Sequence, residues 1–386
     1  MKFNVTDLIE YIGVNDRTID LFESQYIVPN GVSYNSYIIK GEKTIVMDTV
    51  DRRATNEWIQ NLESSLQGKN ADYLVISHLE PDHSANIKLL AEKYPDMKII
   101  LNKKTADMMV QFFDIDLSNR YIMAKEGEIL EIGEHKLQFF MAPMVHWPEV
   151  MVTYEQTQKI LFTADAFGKF GTLDTEEDWA CEARRYYFNI VGKYGAQVQL
   201  LLKKVASLDV KTICPLHGPV LKENLEYYIN KYDIWSSYKP EDEGVLIAYN
   251  SIHGNTGKAI ETLEKILKEN GVEKIVVSDL ARSDIAEVIE DAFRYDKLII
   301  ATPTYDAGLF PTTELFLREL KHKNYQNRKV GIIENGSWAP MAARNIQDIL
   351  KDMKNVDICD TIVTIKTRMN EINKEQMKIL VKEILD

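Results

Sequence analysis

The sequence predicts an α+β layered domain followed by an α/β domain built on a doubly wound, five-stranded parallel sheet. Three observations predict it. Short β-rich runs before residue 215 pair locally as hairpins among helical stretches. A polar segment, Lys231–Gly244, then interrupts the pattern. Beyond it, apolar runs alternate strictly with helical spans over about 140 residues, as parallel strands covered on both faces do.

The runs of the first half are Tyr37–Lys40, Thr44–Val50, Tyr73–Ser77, Lys98–Leu101, Lys136–Met141 and Val210–Cys214. Glu126–Ile132, the turn pair Gly133-Glu134 and Lys136–Met141 read as one hairpin, and Val150–Tyr154 with Lys159–Phe162 as another. In Lys231–Gly244, the run Lys239-Pro240-Glu241-Asp242-Glu243-Gly244 suits neither helix nor strand, which sets a boundary between domains 1–240 and 241–386. The second half offers Val245–Tyr249, Ile275–Val277, Lys297–Ala301, Val330–Ile333 and Thr361–Ile365 as its five strands.

At 386 residues, 45% hydrophobic and 27% charged, the chain is too long for one core and needs no disulfides to fold. A net charge of −13 disfavours nucleic acid and anionic lipid as partners. Cys181, Cys214 and Cys359 form no Cys-x-x-Cys pair, so a disulfide framework or thiolate cluster is not expected, and a reducing cytoplasm fits. Neither a signal peptide nor an apolar run of about 18 residues is present, and no membrane association is expected.

The sharpest feature is Ser77-His78-Leu79-Glu80-Pro81-Asp82-His83, directly after the apolar run Tyr73–Ile76. His78, Glu80, Asp82 and His83 crowd four metal-ligating groups onto one strand end. A solvated turn explains one such residue, but not four. Later strand ends repeat the grammar: His146 follows Ala142–Val145, Asp165 follows Ile160–Ala164, and His217 follows Thr212–Leu216. Trp147 is placed to roof the cavity, and Tyr26 and Tyr194 are candidate proton donors lining it. His135, in a polar turn, and His322, in Lys321-His322-Lys323, are expected to be solvated.

In the second half, Asn250-Ser251-Ile252-His253-Gly254-Asn255-Thr256 lies between a strand and a helix. Hydroxyls and amides at a helix N-terminus cradle a terminal phosphate. Two further loops stand at strand carboxyl ends, where doubly wound sheets bind ligand. They are Thr302-Pro303-Thr304-Tyr305-Asp306 and Asn335-Gly336-Ser337-Trp338. Tyr305 and Trp338 suit the two faces of a planar ring. The chain contains no Gly-x-x-x-x-Gly-Lys-Ser/Thr and no dinucleotide fingerprint here.

His-x-Glu-x-Asp-His followed by His, Asp and His at these separations resembles the flavodiiron proteins, along nearly the whole chain. The resemblance implies a metallo-β-lactamase-like αβ/βα sandwich and a flavodoxin-like domain holding FMN. It implies one iron on His78, Glu80 and His146, another on Asp82, His83 and His217, and Asp165 bridging. Related zinc hydrolases usually carry His where Glu80 stands; a zinc-dependent hydrolase fused to a flavodoxin module is the alternative. Three carboxylates favour ferric iron over a redox-inert ion. His253 departs from the Thr usual in flavodoxins, with altered contacts and retained FMN expected.

The activity implied is reduction of O₂ to water, NO to N₂O, or both. FMN and two irons hold four electrons between them, enough for O₂, while two NO need two. Compact domains of these lengths have radii of gyration of roughly 14–18 Å, so the two clefts of one chain need not be adjacent. The resemblance implies a head-to-tail homodimer or a dimer of dimers. The chain ends at Asp386 without the four-cysteine site of a rubredoxin domain, so a separate donor such as rubredoxin is expected.

Overall fold

The computed structural model describes residues 2–386. The chain divides into two compact units, one reaching Tyr187 and including Ala196–Asp233, the other comprising Phe188–Gly195 and Ile234–Asp386.

In the first unit one sheet has the order Phe3–Asn4, Ile9–Tyr11, Tyr37–Ile39, Ile45–Met47, Tyr73–Val75, Lys98–Leu101, Tyr121–Met123. Pairing is antiparallel up to Ile45–Met47 and parallel beyond it. A second sheet runs Ile129–Ile132, His135–Met141, Met151–Glu155, Ile160–Phe162, Thr212–Cys214, antiparallel except for its last pair. Alternate residues of each sheet meet in one buried cluster, with Tyr37, Ile39, Ile45 and Met47 against Leu137, Phe139, Met151 and Phe162. Helix Thr55–Leu66 buries Trp58, Leu62 and Leu66, a one-face stripe at helical spacing. Both expected hairpins form, the first around Gly133-Glu134 with Ile132 opposite His135.

The parallel pairs set up the site. Met47 pairs with Val75, and Phe162 with Cys214. His78, Asp165 and His217 each stand three residues beyond Val75, Phe162 and Cys214. Two small hairpins that the sequence did not announce, Val14–Asp16 with Val32–Tyr34 and Leu21–Phe22 with Tyr26–Ile27, complete this unit.

The second unit is an all-parallel sheet in the order Ile275–Asp279, Asp242–Tyr249, Tyr295–Pro303, Arg328–Asn335, Val356–Ile365. Its core joins strand residues such as Val245, Ile247, Ile299 and Ile333 to Leu263, Leu267, Leu380 and Ile384 of helices Asn255–Glu269 and Glu371–Leu385. The doubly wound expectation therefore holds. The order reverses between the strands starting at Asp242 and Tyr295, the switch point where such sheets bind ligand.

Lys231–Gly244 is more regular than its polarity implies. A helix runs Leu225–Ser236 because Tyr232 and Trp235 are buried three residues apart, and a strand begins at Asp242, opposite Tyr295. Among the described residues no helix is long and apolar enough to cross a membrane.

Candidate metal centre and flavin cleft

After strand Tyr73–Val75 the chain is pinned by hydrogen bonds from Ser77 N to Asp48 Oδ1 (2.7 Å) and from Leu79 N to Glu149 Oε1 (2.9 Å). A single helical turn, Pro81–Ser84, follows with Glu80 as its cap. Proline suits the first helical position because that amide has no intrahelical partner and its φ is already helical. The Glu80 carbonyl accepts from His83 N at 2.9 Å and Ser84 N at 3.0 Å. That turn presents Asp82 and His83 together.

The seven ligand-type side chains converge as two groups, His78–Glu80–His146–Asp165 and Asp82–His83–His217. In the first, Glu80 Oε2 lies 3.2 Å from His78 Nε2 and 3.0 Å from His146 Nε2. In the second, Asp82 Oδ2 lies 3.4 Å from His83 Nε2 and 3.2 Å from His217 Nε2. Asp165 divides itself between them. Its Oδ2 is 2.9 Å from His146 Nε2, while its Oδ1 is 3.2 Å from His83 Nε2.

All but the partly buried Glu80 are buried, and beyond the His78–Glu80 and His83–His217 contacts many of their polar atoms make no hydrogen bond. Both oxygens of Asp82 and of Asp165, together with His146 Nε2, lack a hydrogen-bond partner. Leaving so many buried polar atoms unmade costs roughly 1–3 kcal/mol each. A cation in each group removes that cost, so the donor set fits two metal ions. Each group would supply two imidazoles and a terminal carboxylate, a mixture suited to non-haem iron.

Charge reinforces the fit. Burial works to raise Asp165, yet the imidazoles of His78, His146 and His83 outweigh it and hold its carboxyl well below the usual range. Burial works to lower His146, but Asp165 and Glu80 push it up to about 9. Metal and protons therefore compete for the same imidazole nitrogens.

Two supports escaped sequence reasoning. His78 Nδ1 donates to Glu149 Oε1 at 2.8 Å, and His217 Nδ1 donates to the Ser33 carbonyl at 2.7 Å. Each bond leaves an Nε2 lone pair facing the centre. Asn35 secures the His217 loop by donating to the carbonyls of Pro215 (2.9 Å) and Gly218 (2.7 Å). No local pattern marks these residues, since their partners lie far along the chain.

Aromatic rings wall the centre. Trp147 meets His78 edge-on at 5.1 Å, while Phe22 and Tyr186 lie 5.4 and 5.5 Å from His217. Tyr194, expected at this cavity, belongs to the second compact unit, and Tyr26 packs on Phe170 at 6.1 Å. Two tyrosines meet a ligand-type imidazole, Tyr34 at 6.2 Å and Tyr186 at 5.5 Å from His217, and Tyr186 is the nearer. Its hydroxyl is buried without a hydrogen-bond partner, and burial, then Asp165, hold its phenol well above the usual range. His135 is a further correction. It is fully buried, bonded to Glu155 Oε1 and the Lys40 carbonyl at 3.0 Å each, whereas His322 is exposed.

In the second unit a 450 Å³ cavity opens at the switch point. It is lined by Ser251, Ile252, His253, Asn255 and Thr256, by Pro303, Thr304 and Asp306, and by Asn335, Gly336, Ser337 and Trp338. Gly254, φ 85°, caps helix Asn255–Glu269 beside it. The loops are cross-linked: Asn335 Nδ2 donates to Thr256 Oγ1 at 3.3 Å, and Thr304 N to the Asn335 carbonyl at 2.8 Å.

Three anticipated residues, Gly254, Thr302 and Tyr305, stand off the wall. Thr302 is buried beneath it, bonded to Thr313, and Tyr305 turns its ring edge toward Phe310 at 5.6 Å. Trp338 does line the cavity, though 91% exposed. Ala307, Ala339 and Thr367 line it unforeseen. Thr367 follows the fifth strand and donates its amide to Asn335 Oδ1 at 3.0 Å. A cradle of hydroxyls and helix-start amides beside an aromatic suits a phosphate-bearing planar ligand.

Residues 32–218 match the ODP family beta lactamase pattern. The anaerobic nitric oxide reductase flavorubredoxin of Aliivibrio fischeri is 30% identical over 364 residues, 91% of this chain and 73% of that one. Among solved structures, the rubredoxin:oxygen oxidoreductase of Desulfovibrio gigas superposes with a TM-score of 0.92 at 25% identity, covering 100% of this chain and 98% of the other. A variant of the flavo di-iron protein of Thermotoga maritima gives 0.88 at 25% identity, over 98% and 95%. Likeness of this extent, in sequence and along both units, goes beyond a shared motif: the chain belongs to the flavodiiron proteins, oxidoreductases whose members carry FMN and a non-haem di-iron centre.

Proposed function

We propose that the protein reduces O₂ to water, NO to N₂O, or both, at a di-iron site fed through FMN by a separate electron donor such as rubredoxin. One observation carries the reading. Asp165 turns one oxygen toward each of two groups, each built of two imidazoles and a carboxylate. His78, Glu80 and His146 would hold one iron, and Asp82, His83 and His217 the other, with Asp165 shared. Ser251, Ile252, His253, Gly254, Asn255 and Thr256 would hold the FMN phosphate. Pro303, Thr304, Asp306, Asn335, Gly336, Ser337 and Trp338 would surround its ring, with Thr302 and Tyr305 supporting that wall from behind. When bound, the irons would supply open coordination positions for the gas and FMN would supply electrons.

The protein's own residues set the conditions. The buried bonds from His78 to Glu149 and from His217 to Ser33 fix which imidazole nitrogen faces the centre. Phe22, Trp147 and Tyr186 crowd bulk water away from it. A head-to-tail homodimer, or a dimer of dimers, would bring the FMN of one chain to the irons of another.

Metal analysis of purified protein, followed by anaerobic stopped-flow mixing of the reduced form with O₂ and separately with NO, tests the proposal. We expect two irons and one FMN per chain, and gas-dependent reoxidation that consumes four electrons per O₂ or one per NO. Zinc in place of iron, with no reoxidation by either gas, would mean hydrolase chemistry instead.

A further inference from the structure

The two halves of the metal centre differ in what stands behind their imidazoles. Glu149 is 1% exposed, and its Oε1 receives both His78 Nδ1 at 2.8 Å and Leu79 N at 2.9 Å. Its own carbonyl accepts from Asn102 Nδ2 at 2.6 Å, and Asn102 caps helix Lys103–Phe112 by accepting from Thr105 N at 2.9 Å. The carboxylate is thus anchored to a rigid element. Its Oε2 has no hydrogen-bond partner. In the other half His217 Nδ1 meets only a neutral carbonyl, that of Ser33, and His83 Nδ1 has no hydrogen-bond partner. Among the described residues, His78 alone of the four converging imidazoles gives its Nδ1 hydrogen to a carboxylate.

A carboxylate behind an imidazole makes the ring a stronger donor to a metal and adds negative charge beside it. Buried charge of that kind stabilises the more oxidised ion. Resting on the di-iron reading above, we propose that Glu149 makes the two metal positions inequivalent. An iron bound by His78, Glu80 and His146 would be held toward the ferric state. With FMN and both irons bound, a first electron from reduced flavin would go to an iron held by Asp82, His83 and His217, taking it from ferric to ferrous with no bond made or broken. Glu149 acts through His78 and is a positioning residue.

Glu149→Gln tests this in the full-length, iron- and FMN-loaded protein. Glutamine keeps an oxygen for His78 Nδ1 and Leu79 N but removes the charge. Anaerobic redox titration followed by electron paramagnetic resonance should still find two irons per chain. The lower-potential iron couple should move up toward the higher one, and the greatest mixed-valence signal should shrink. Unchanged couples and signal with both irons bound overturn the proposal. So does loss of iron from both positions together. Glu149→Ala gives a second reading by chelator competition: one iron should bind about 10–100-fold more weakly than in the wild type while the other is retained. Equal weakening of both overturns it. Wild-type protein that takes up no iron pair is a different result, since it removes the di-iron reading as well.

Discussion

Replacing Asp165 by Ala removes in one step the oxygen facing His146 and the oxygen facing His83. The fully buried side chain also lies within 3.5 Å of His78 Nε2 and 3.9 Å of His217 Nε2, so its loss falls on the metal centre, while FMN would sit in the other unit. We expect iron content below two per chain, full FMN occupancy, and gas reduction lowered by more than the 10–100-fold that losing a partner behind a ligand typically costs, so about 100-fold or greater. Parallel iron and flavin assays check it; unchanged turnover would refute the shared role. His135 yields a prediction of a different kind. Burial works to lower it, but pairing with Glu155 and the Lys40 carbonyl raises its folded pKa above the unfolded value. A raised histidine stabilises fully below the unfolded pKa of about 6.5 and stops doing so as pH rises through the folded value. His135→Gln should therefore cost more stability near pH 6 than near pH 9, on the order of the 1.5–3 kcal/mol of a charged hydrogen bond. Denaturant melts at the two pH values measure it, and an equal cost at both would remove the charge from the account. His135 also shows where sequence reading fails at this scale. Its neighbours are polar, and the carboxylate that buries it lies 20 residues on, on the far side of a strand pairing. The seven ligand-type residues were legible because each follows an apolar run. Glu149 and Ser33 were not, because nothing local distinguishes a carboxylate or a carbonyl that will stand behind a histidine.

At the level of elements, what was legible is the register of apolar runs, and what was not is the backbone geometry between them. Strands of the second unit follow from unbroken apolar stretches that only a doubly covered sheet can bury. Helix Leu225–Ser236 was obscured because Tyr232 and Trp235, the residues that hold it, sit among charges. Two glycines show how loops and elements join at the sites. Gly218, beside His217, has φ 76°, and a Cβ there would lie 2.6 Å from Lys169 Cγ. Gly254, at the start of helix Asn255–Glu269, has φ 85° with open space around it. Left-handed backbone costs an L-residue roughly 1–2 kcal/mol. Gly254→Ala should cost about that much and no more. Gly218→Ala adds the contact with the buried Lys169, which is ion-paired to Glu177, and should cost more while loosening iron. Thermal melts with iron and FMN quantified side by side separate the two; equal costs would mean that Lys169 yields freely.

For the whole molecule, each unit has its own buried cluster and its own candidate ligand. Tyr37, Met47, Phe139 and Phe162 belong to one core, and Val245, Ile299, Leu263 and Leu380 to the other. A ligand that binds only the native state stabilises the unit that holds it, by about 2.7 kcal/mol at one hundred times Kd. For a domain of 150–250 residues that moves Tm by roughly 5–10 °C. Removing iron with a chelator should therefore lower one calorimetric transition and leave the other in place. Removing FMN should do the converse. Acid should act like the chelator, because protons taken up by imidazoles such as His146 displace metal from the first unit alone. A single transition that moves with either ligand would show instead that the two cores melt together, and the division at residues 233 and 234 would then mark a change of architecture rather than a boundary of stability.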